Sequence, residues 1–285
     1  MRPTYITDSY LQEFVASALQ EDVRDGDHTS LAVIPDHARG SARLLVKEVG
    51  ILAGVEAALA VFRQVDASLT TRLFLNDGAT VNPGDVAFTV SGPARSLLMA
   101  ERLVLNTMQR MSGIATYTHR LVKCIEGTRA RILDTRKTTP NFRLMEKWAV
   151  AIGGGHNHRL GLYDMIMIKD NHIDIAGGIE AAIERTKDYL RTRNMKLQVE
   201  IEVRNLPELE RVLACGGVDM IMLDNMSVHE MKEAVKKING KYLTEASGGI
   251  NESNIREIAL TGVDFISAGA LTHSVKSLDM SLKIF

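Results

Sequence analysis

Residues 134–172 read DTRKTTPNFRLMEKWAVAIGGGHNHRLGLYDMIMIKDNH. The stretch leaves one apolar run, Ile132-Leu133, for Asp134-Thr135-Arg136-Lys137, and a second, Met165-Ile166-Met167-Ile168, for Lys169-Asp170-Asn171-His172. Short apolar runs that give way to a helical pattern read as buried strands of βα units. Between them lie a helix-like segment, a Gly153-Gly154-Gly155 loop and His156-Asn157-His158-Arg159. Charged groups at the C-terminal ends of such strands are where α/β barrels and doubly wound sheets keep their chemistry. Arg136, Lys137, His158, Arg159 and Lys169 then share one face. So much gathered positive charge implies a ligand with several negative charges.

Outward from this stretch, the chain after residue 130 repeats a unit of apolar strand, polar strand end and helix. The strand candidates are ARILDT, YDMIMIKD, QVEIEVR, VDMIMLDN, KYLTEASGG and DFISAGA. DMIMIKDN and DMIMLDN are alike, which marks an internal βα repeat. Apolar strands alternating with helices mean a parallel sheet with a covered outer face. These units are too few for a full eight-unit barrel. The expected fold is therefore α/β, a six-stranded incomplete barrel, and no Gly-rich dinucleotide fingerprint follows its first strand.

The N-terminal part is different. Residues 8–20 carry helical spacing with Asp8 or Ser9 as the cap, and EDVRDGDHTS reads as a solvated loop. From 41 to 95, β-branched residues alternate with turns at Asn76-Asp77-Gly78 and Asn82-Pro83-Gly84, around one amphipathic helix, VEAALAVFRQV. This is an α+β sandwich. Residues 96–125 form a long helix with an expected break at Ser112-Gly113, and Arg102 in it reads on its own as a surface arginine beside Glu101. The expected domains are 1–115, with the tail 276–285 returning to it, and a barrel over 116–275.

At 285 residues, with 45% hydrophobic and 24% charged residues, the composition is that of a soluble globular protein. A formal net charge of −1 and a pI near 6.7 argue against nucleic-acid or membrane electrostatics. Cys124 and Cys215 lack metal-ligand spacing and read as buried thiols of a reducing compartment. No stretch approaches a membrane span or a signal-peptide core, so the cytoplasm is expected.

The strand ends supply, in order, Asp134/Arg136/Lys137, Lys169/Asp170, Glu202, Asp224, Glu245/Ser247 and Ser267/Gly269. One polar group per strand end is the pattern of a barrel active site. Ser247-Gly248-Gly249 precedes a helix and Gly269 ends the last strand, where backbone N–H groups can approach a phosphate. Arg136 and Arg159 offer forked donors for carboxylates or phosphates. Glu202 and Asp224 suit ribose hydroxyls or a Mg²⁺ with few protein ligands. Lys169 has a rival reading as a Schiff-base lysine. His156 and His172 read as structural, whereas His273 is placed to meet a phosphate or diphosphate.

DTRKTTP, GGGHNHRLGLYDMIMIKDNHI, EIEV, MIMLDN, EASGGI and SAGALTHS together resemble the signature blocks of the quinolinate phosphoribosyltransferases, also called nicotinate-nucleotide pyrophosphorylases (carboxylating). ERLVLNTMQRMSGIAT and EDVRDGDHTS resemble that family too, so the likeness covers nearly the whole chain in order. It departs at Asn141, where Gly is expected after Pro140. The resemblance implies a type II phosphoribosyltransferase that joins quinolinate to phosphoribosyl pyrophosphate, giving nicotinate mononucleotide, pyrophosphate and CO₂ in NAD biosynthesis, with Mg²⁺. It implies a homodimer, or a higher oligomer, in which the N-terminal domain of one subunit caps the barrel of the other and Arg102 reaches that active site. The implied substrate-binding residues are Arg102, Arg136, Lys137, His158, Arg159, Lys169, Glu202, Asp224, Ser247, Gly248, Gly269 and His273. Of these, Lys137, Lys169, Glu202 and Asp224 would be catalytic. Three rivals stand beside it: a molybdenum-transport-associated paralogue with another anionic acceptor, a Schiff-base aldolase, and a non-catalytic sensor of a phosphorylated metabolite.

Overall fold

The computed structural model describes residues 2–285. In chain order they form α1 (Asp8–Asp22), α2 (His28–Val33), β1 (Arg39–Val46), β2 (Gly50–Ile51), α3 (Val55–Val65), β3 (Thr70–Leu73), β4 (Thr80–Val81) and β5 (Val86–Pro93). A long helix, α4 (Ala94–Cys124), leads to β6 (Arg131–Leu133), α5 (Arg143–Ile152) and β7 (Ile166–Ile168). Then come α6 (Asp170–Ala176), α7 (Ile179–Thr192), β8 (Val199–Val203), α8 (Leu206–Cys215), β9 (Met220–Asp224) and α9 (Val228–Ile238). The chain ends with β10 (Leu243–Ser247), α10 (Ile255–Ala259), β11 (Phe265–Ser267), α11 (Ala270–His273) and β12 (Met280–Ile284). Two compact units result, one of Met1–His119, Thr139–Gly154 and Ser274–Phe285, the other of Arg120–Thr138 and Gly155–His273.

The first unit is built on an antiparallel sheet of order β12-β1-β5-β3. Period-2 alternation on β1 buries Ala42, Leu44 and Val46 on one face. Leu44 lies opposite Leu282 on β12 and Phe88 on β5. Against this face α3 packs Ala58, Val61 and Phe62. The Phe62 and Phe88 rings meet edge to face at 5.7 Å, a geometry that adds to area burial.

Three expectations need correction in this unit. The cap of α1 is Thr7, whose side chain accepts from the Tyr10 N–H at 3.0 Å, not Asp8 or Ser9. Part of the segment read as a loop is α2, capped by Asp27 through the Ser30 N–H. The helix α4 does not break at Ser112-Gly113. Ser112 Oγ instead bonds the Ala53 N–H and carbonyl, at 2.8 and 3.0 Å, and Gly113 lets the backbone of Lys276 and Ser277 lie against the helix. Gly here serves close approach, not chain flexibility.

Residues 139–154 also fall in this unit, although the expected barrel ran unbroken from 116 to 275. The physical reason is the apolar face of α5, which buries Met145, Trp148 and Ala149. Its Glu146 is fully buried and holds Arg110 at 2.8 Å as well as the Thr139 N–H and hydroxyl at 3.0 and 2.9 Å. Asn141, the departure noted above, has φ +61°, the left-handed conformation that Gly adopts freely and Asn tolerates. The substitution therefore keeps the turn.

The second unit is a six-stranded parallel sheet of order β6-β11-β10-β9-β8-β7, and all six strands expected from the sequence are present. On β8, Val199, Ile201 and Val203 alternate with Glu200 and Glu202, so the apolar set faces the helices and the acids face inward. The register carries this inner face across the sheet: Glu202 lies beside Met222, Met222 beside Glu245, and Asp224 beside Ser247. The free edge of β6 takes a single further bridge, Leu133 to His156. Helices α8 and α9 are launched by Asn205 and Ser227 caps, the latter a reciprocal box with Glu230.

Replacing Gly113 by Ala should destabilise the protein by about 1–3 kcal/mol through overpacking. In an exposed helix the same change would stabilise, because Ala is the better helix former. Urea unfolding of G113A against the parent chain decides which effect wins.

Candidate active site

On the strand-end face of the second unit lies a pocket of about 300 Å³, a size suited to a small ligand. Arg136, Lys137, Arg159 and Lys169 give it a cationic wall, while Met167 and Met222 form its apolar part. Asp134, His158, Glu245, Ser247 and Ser267 complete the lining. A larger depression of about 650 Å³ runs along α1 and α3 in the first unit, beside Asp8, Gln12 and Arg63. It gathers no comparable set of convergent charges, so volume alone is a poor guide here.

The two arginines are held by different means. Burial and the neighbouring Arg136 charge both draw the Arg159 pKa below the ordinary arginine value. The Arg136 Nε is buried without a hydrogen-bond partner, an unsatisfied donor beside a second guanidinium. Two like charges half-buried together favour an anion between them.

The His156–Arg159 segment is fixed from below. Buried Asp134 accepts from the His158 N–H at 2.9 Å and from Asn157 Nδ2 at 2.6 Å. His158 Nε2 stands 2.9 Å from Glu200 Oε2 and 3.3 Å from Glu245 Oε2, and its Nδ1 accepts from the Arg159 N–H at 2.7 Å. Burial lowers the His158 pKa, while the neighbouring Glu200 and Glu245 draw it up. The Nδ1 contact opposes that rise, since a doubly protonated ring must give up the Arg159 N–H bond. Burial and the Glu245 charge push the Glu200 carboxyl up to about 7.

Around Lys137 and Lys169 the chain is shaped for close approach. A Cβ on Gly269 would stand 3.0 Å from the Lys137 side chain and 3.1 Å from the His273 ring, so both lie over that glycine. Thr272 Oγ1 donates to the Lys137 carbonyl at 2.7 Å and pins the loop. Gly248, at φ +101°, leaves room for the Asn225 side chain, which in turn donates to Asp224 Oδ2 at 2.7 Å. Lys169 Nζ donates to Glu202 Oε2 at 2.9 Å, and His172 Nδ1 accepts from the Lys169 N–H at 2.9 Å. His172 is thus a turn-forming residue, as His156 is a strand-bridging one.

Of the sequence candidates, Arg136, Lys137, His158, Arg159, Lys169 and Ser247 line the pocket. Glu202 joins through Lys169, Asp224 lies beside Ser247 across the sheet, and His273 and Gly269 meet Lys137. Arg102 is exposed on α4 in the first unit and does not line it. Sequence reading passed over Glu200 and counted Glu245 only as a strand end. The signal for Glu200 was present: in QVEIEVR two acids stand two residues apart, which puts both on one face of a strand.

A parallel α/β sheet with cations over a small strand-end pocket defines an enzyme of the α/β barrel class acting on an anionic substrate. Residues 27–112 match the quinolinate phosphoribosyl transferase N-terminal domain, and residues 114–283 match the C-terminal domain of the same family. The chain is 47% identical over 297 aligned residues to the chloroplastic nicotinate-nucleotide pyrophosphorylase [carboxylating] of Arabidopsis thaliana, covering 99% of this chain and 84% of that one. It is 41% identical to the probable nicotinate-nucleotide pyrophosphorylase [carboxylating] of Bacillus subtilis, over 93% and 90% of the two chains. The solved nicotinate-nucleotide pyrophosphorylase of Francisella tularensis superposes with a TM-score of 0.91 at 40% identity, covering 98% of each. The chain belongs to the quinolinate phosphoribosyltransferase family.

The raised Glu200 value has a consequence for stability. A carboxyl or imidazole whose folded value lies above its unfolded one supports the fold below the unfolded value and loses that support as pH rises through the folded one. Glu200 spans 4.5 to about 7. Stability measured by urea unfolding should therefore fall between about pH 5 and 7, and fall less steeply in Glu200→Gln.

Proposed function

We propose that this protein transfers the phosphoribosyl group of phosphoribosyl pyrophosphate to quinolinate with loss of CO₂, yielding nicotinate mononucleotide and pyrophosphate for NAD biosynthesis. The observation that carries the reading is the half-buried Arg136–Arg159 pair, one of them with an unsatisfied buried donor, on the wall of a pocket sized for one small ring. Two adjacent carboxylates on an aromatic ring match paired forked donors. The same wall carries Lys137 and Lys169 for phosphate oxygens, with Ser247, Gly248, Gly269 and His273 toward the 5′-phosphate and the diphosphate.

The reaction follows from these placements. The pyridine nitrogen attacks C1 of the ribose as the C1–O bond breaks and pyrophosphate leaves with the electron pair. Glu202 and Asp224, facing the ribose, stabilise the positive charge that builds on it. Lys137 and Lys169 take up charge on the departing oxygens. The ring nitrogen, now cationic, accepts the electrons released as the adjacent carboxylate departs as CO₂, and the ring carbon is then protonated from solvent. Positioning and charge are what the protein supplies.

Glu202 and Asp224 are the residues that would hold Mg²⁺, which brings charge neutralisation to the diphosphate when bound. They fit it as hard oxygen donors too few to form a cage, since neither joins the one three-ligand group among the described residues, His158, Glu200 and Glu245. The reading keeps the cytoplasm as its compartment, supported by the unbridged Cys124 and Cys215. No helix among the described residues is long and apolar enough to cross a membrane. It also keeps a homodimer, in which the exposed Arg102 of one copy completes the dicarboxylate site of the other.

Purified protein with Mg²⁺ and phosphoribosyl pyrophosphate should form nicotinate mononucleotide from quinolinate and none from nicotinate, followed by chromatography. No product from either tube, with the protein folded, overturns the reading in favour of another anionic acceptor. Arg136→Ala should abolish turnover. For the shared site, Arg102→Ala and Lys169→Ala should each be inactive alone, and mixing them through unfolding and refolding should restore activity. Mixtures as inactive as their parents would sink the exchange of Arg102 between copies.

A further inference from the structure

Two fully buried carboxylates in the sheet interior are not used by the reaction described above. Glu200 on β8 and Glu245 on β10 both bring an oxygen to His158 Nε2, Glu200 in a hydrogen bond at 2.9 Å and Glu245 in a charge contact at 3.3 Å, and the other Glu200 oxygen and both Glu245 oxygens are buried without a hydrogen-bond partner. An unsatisfied buried polar group destabilises a fold, and more so when charged. An apolar pair of similar volume would fill the same space at lower cost. A fold that served only packing would have no use for this arrangement.

Its effect on the pocket can be followed atom by atom. His156 bridges β6 through the backbone, with its N–H on the Ile132 carbonyl at 2.8 Å. Past that bridge the segment leaves the sheet. The His158 ring then reaches inward to β8 and β10, two strands separated by β9. From its other edge, Nδ1 accepts the Arg159 N–H at 2.7 Å. Arg159 also donates from its guanidinium to the Met165 carbonyl at 3.3 Å, so both ends of that residue are held. The ring is held in one orientation, with Nε2 toward the acids and Nδ1 toward the Arg159 main chain.

We infer that Glu200 and Glu245 are positioning residues that, through the His158 ring, fix Arg159 in the acceptor pocket and so set the affinity for the dicarboxylate. The inference rests on the phosphoribosyl-transfer reading for its acceptor, though the hydrogen-bond chain itself does not. His158 then acts through Arg159, with both ring nitrogens engaged inside the protein.

The test uses Glu200→Gln and Glu245→Gln in the full chain, which keep shape and remove charge. Each should raise the quinolinate KM about tenfold while leaving the phosphoribosyl pyrophosphate KM unchanged. Adding Glu200→Gln to His158→Ala should cost nothing beyond His158→Ala alone. Unchanged quinolinate KM in both Gln variants, or equal rises for both substrates, overturns the inference. Should neither variant fold, ¹⁵N NMR of histidine-labelled wild-type protein reads the ring directly. A proton on Nε2 with Nδ1 bare supports the chain of bonds, and a proton on Nδ1 breaks it. An inactive wild-type protein would refute the acceptor assignment, and the NMR result would still decide the ring.

Discussion

A parallel sheet of six strands leaves an edge at β6 and another at β7, and its inner face must be filled without a further pair of strands. The chain meets that constraint with side chains. Asp134, at the end of β6, turns back to hold the His158 N–H and the Asn157 amide, and His158 extends across the interior to acids on β8 and β10. Most other positions on the inner face take their roles from this. Met167, Met222 and Glu245 line the pocket from three strands, and Lys169 and Ser247, two residues further along from Met167 and Glu245, line it too. Since the strand period is two, a shift of one residue in any register would send the acids into the helix layer.

The electrostatics follow from the same geometry. Four cationic side chains line one pocket; Lys169 is answered by Glu202, and Arg159 in part by Glu200 and Asp164. Arg136 and Arg159 remain beside one another, with burial working against the Arg159 charge. An anionic ligand completes what the acids leave undone. The Schiff-base alternative for Lys169 weakens on the same ground: its Nζ is engaged with Glu202, whereas a lysine nucleophile needs a lone pair in an apolar setting.

Much of this was legible in the chain itself, and the reasons differ by element. The six strands stood out because buried parallel strands are unbroken apolar runs and their polar ends repeat. VEAALAVFRQV coincides with α3 because its apolar spacing is helical throughout. Ser112-Gly113 misled because a glycine that admits another backbone looks the same in sequence as one that ends a helix. The placement of 139–154 was hidden for a related reason: α5 is amphipathic whichever unit it joins, and only tertiary packing of Trp148 decides. Thr7 lost to Asp8 on a difference of one residue, which propensity does not resolve. For the site, charged residues at strand ends were found by position, whereas Glu200 sits mid-strand and was found only by its partner.

Arg102 shows where one chain's geometry ends. It is exposed on α4, it has no place in the pocket wall, and only likeness of its surrounding motif gave it a role. Under the proposed homodimer such a residue would have a defined part. The pocket's cations, Arg136, Lys137, Arg159 and Lys169, all come from the strand ends and loops of this chain's second unit. A dicarboxylate held from one side remains open to water on the other, and water weakens every charge interaction within. A cation arriving from a second copy would close that side and strengthen the Arg136 and Arg159 contacts at once. Assembly and acceptor binding would then be linked, each favouring the other by the same free energy.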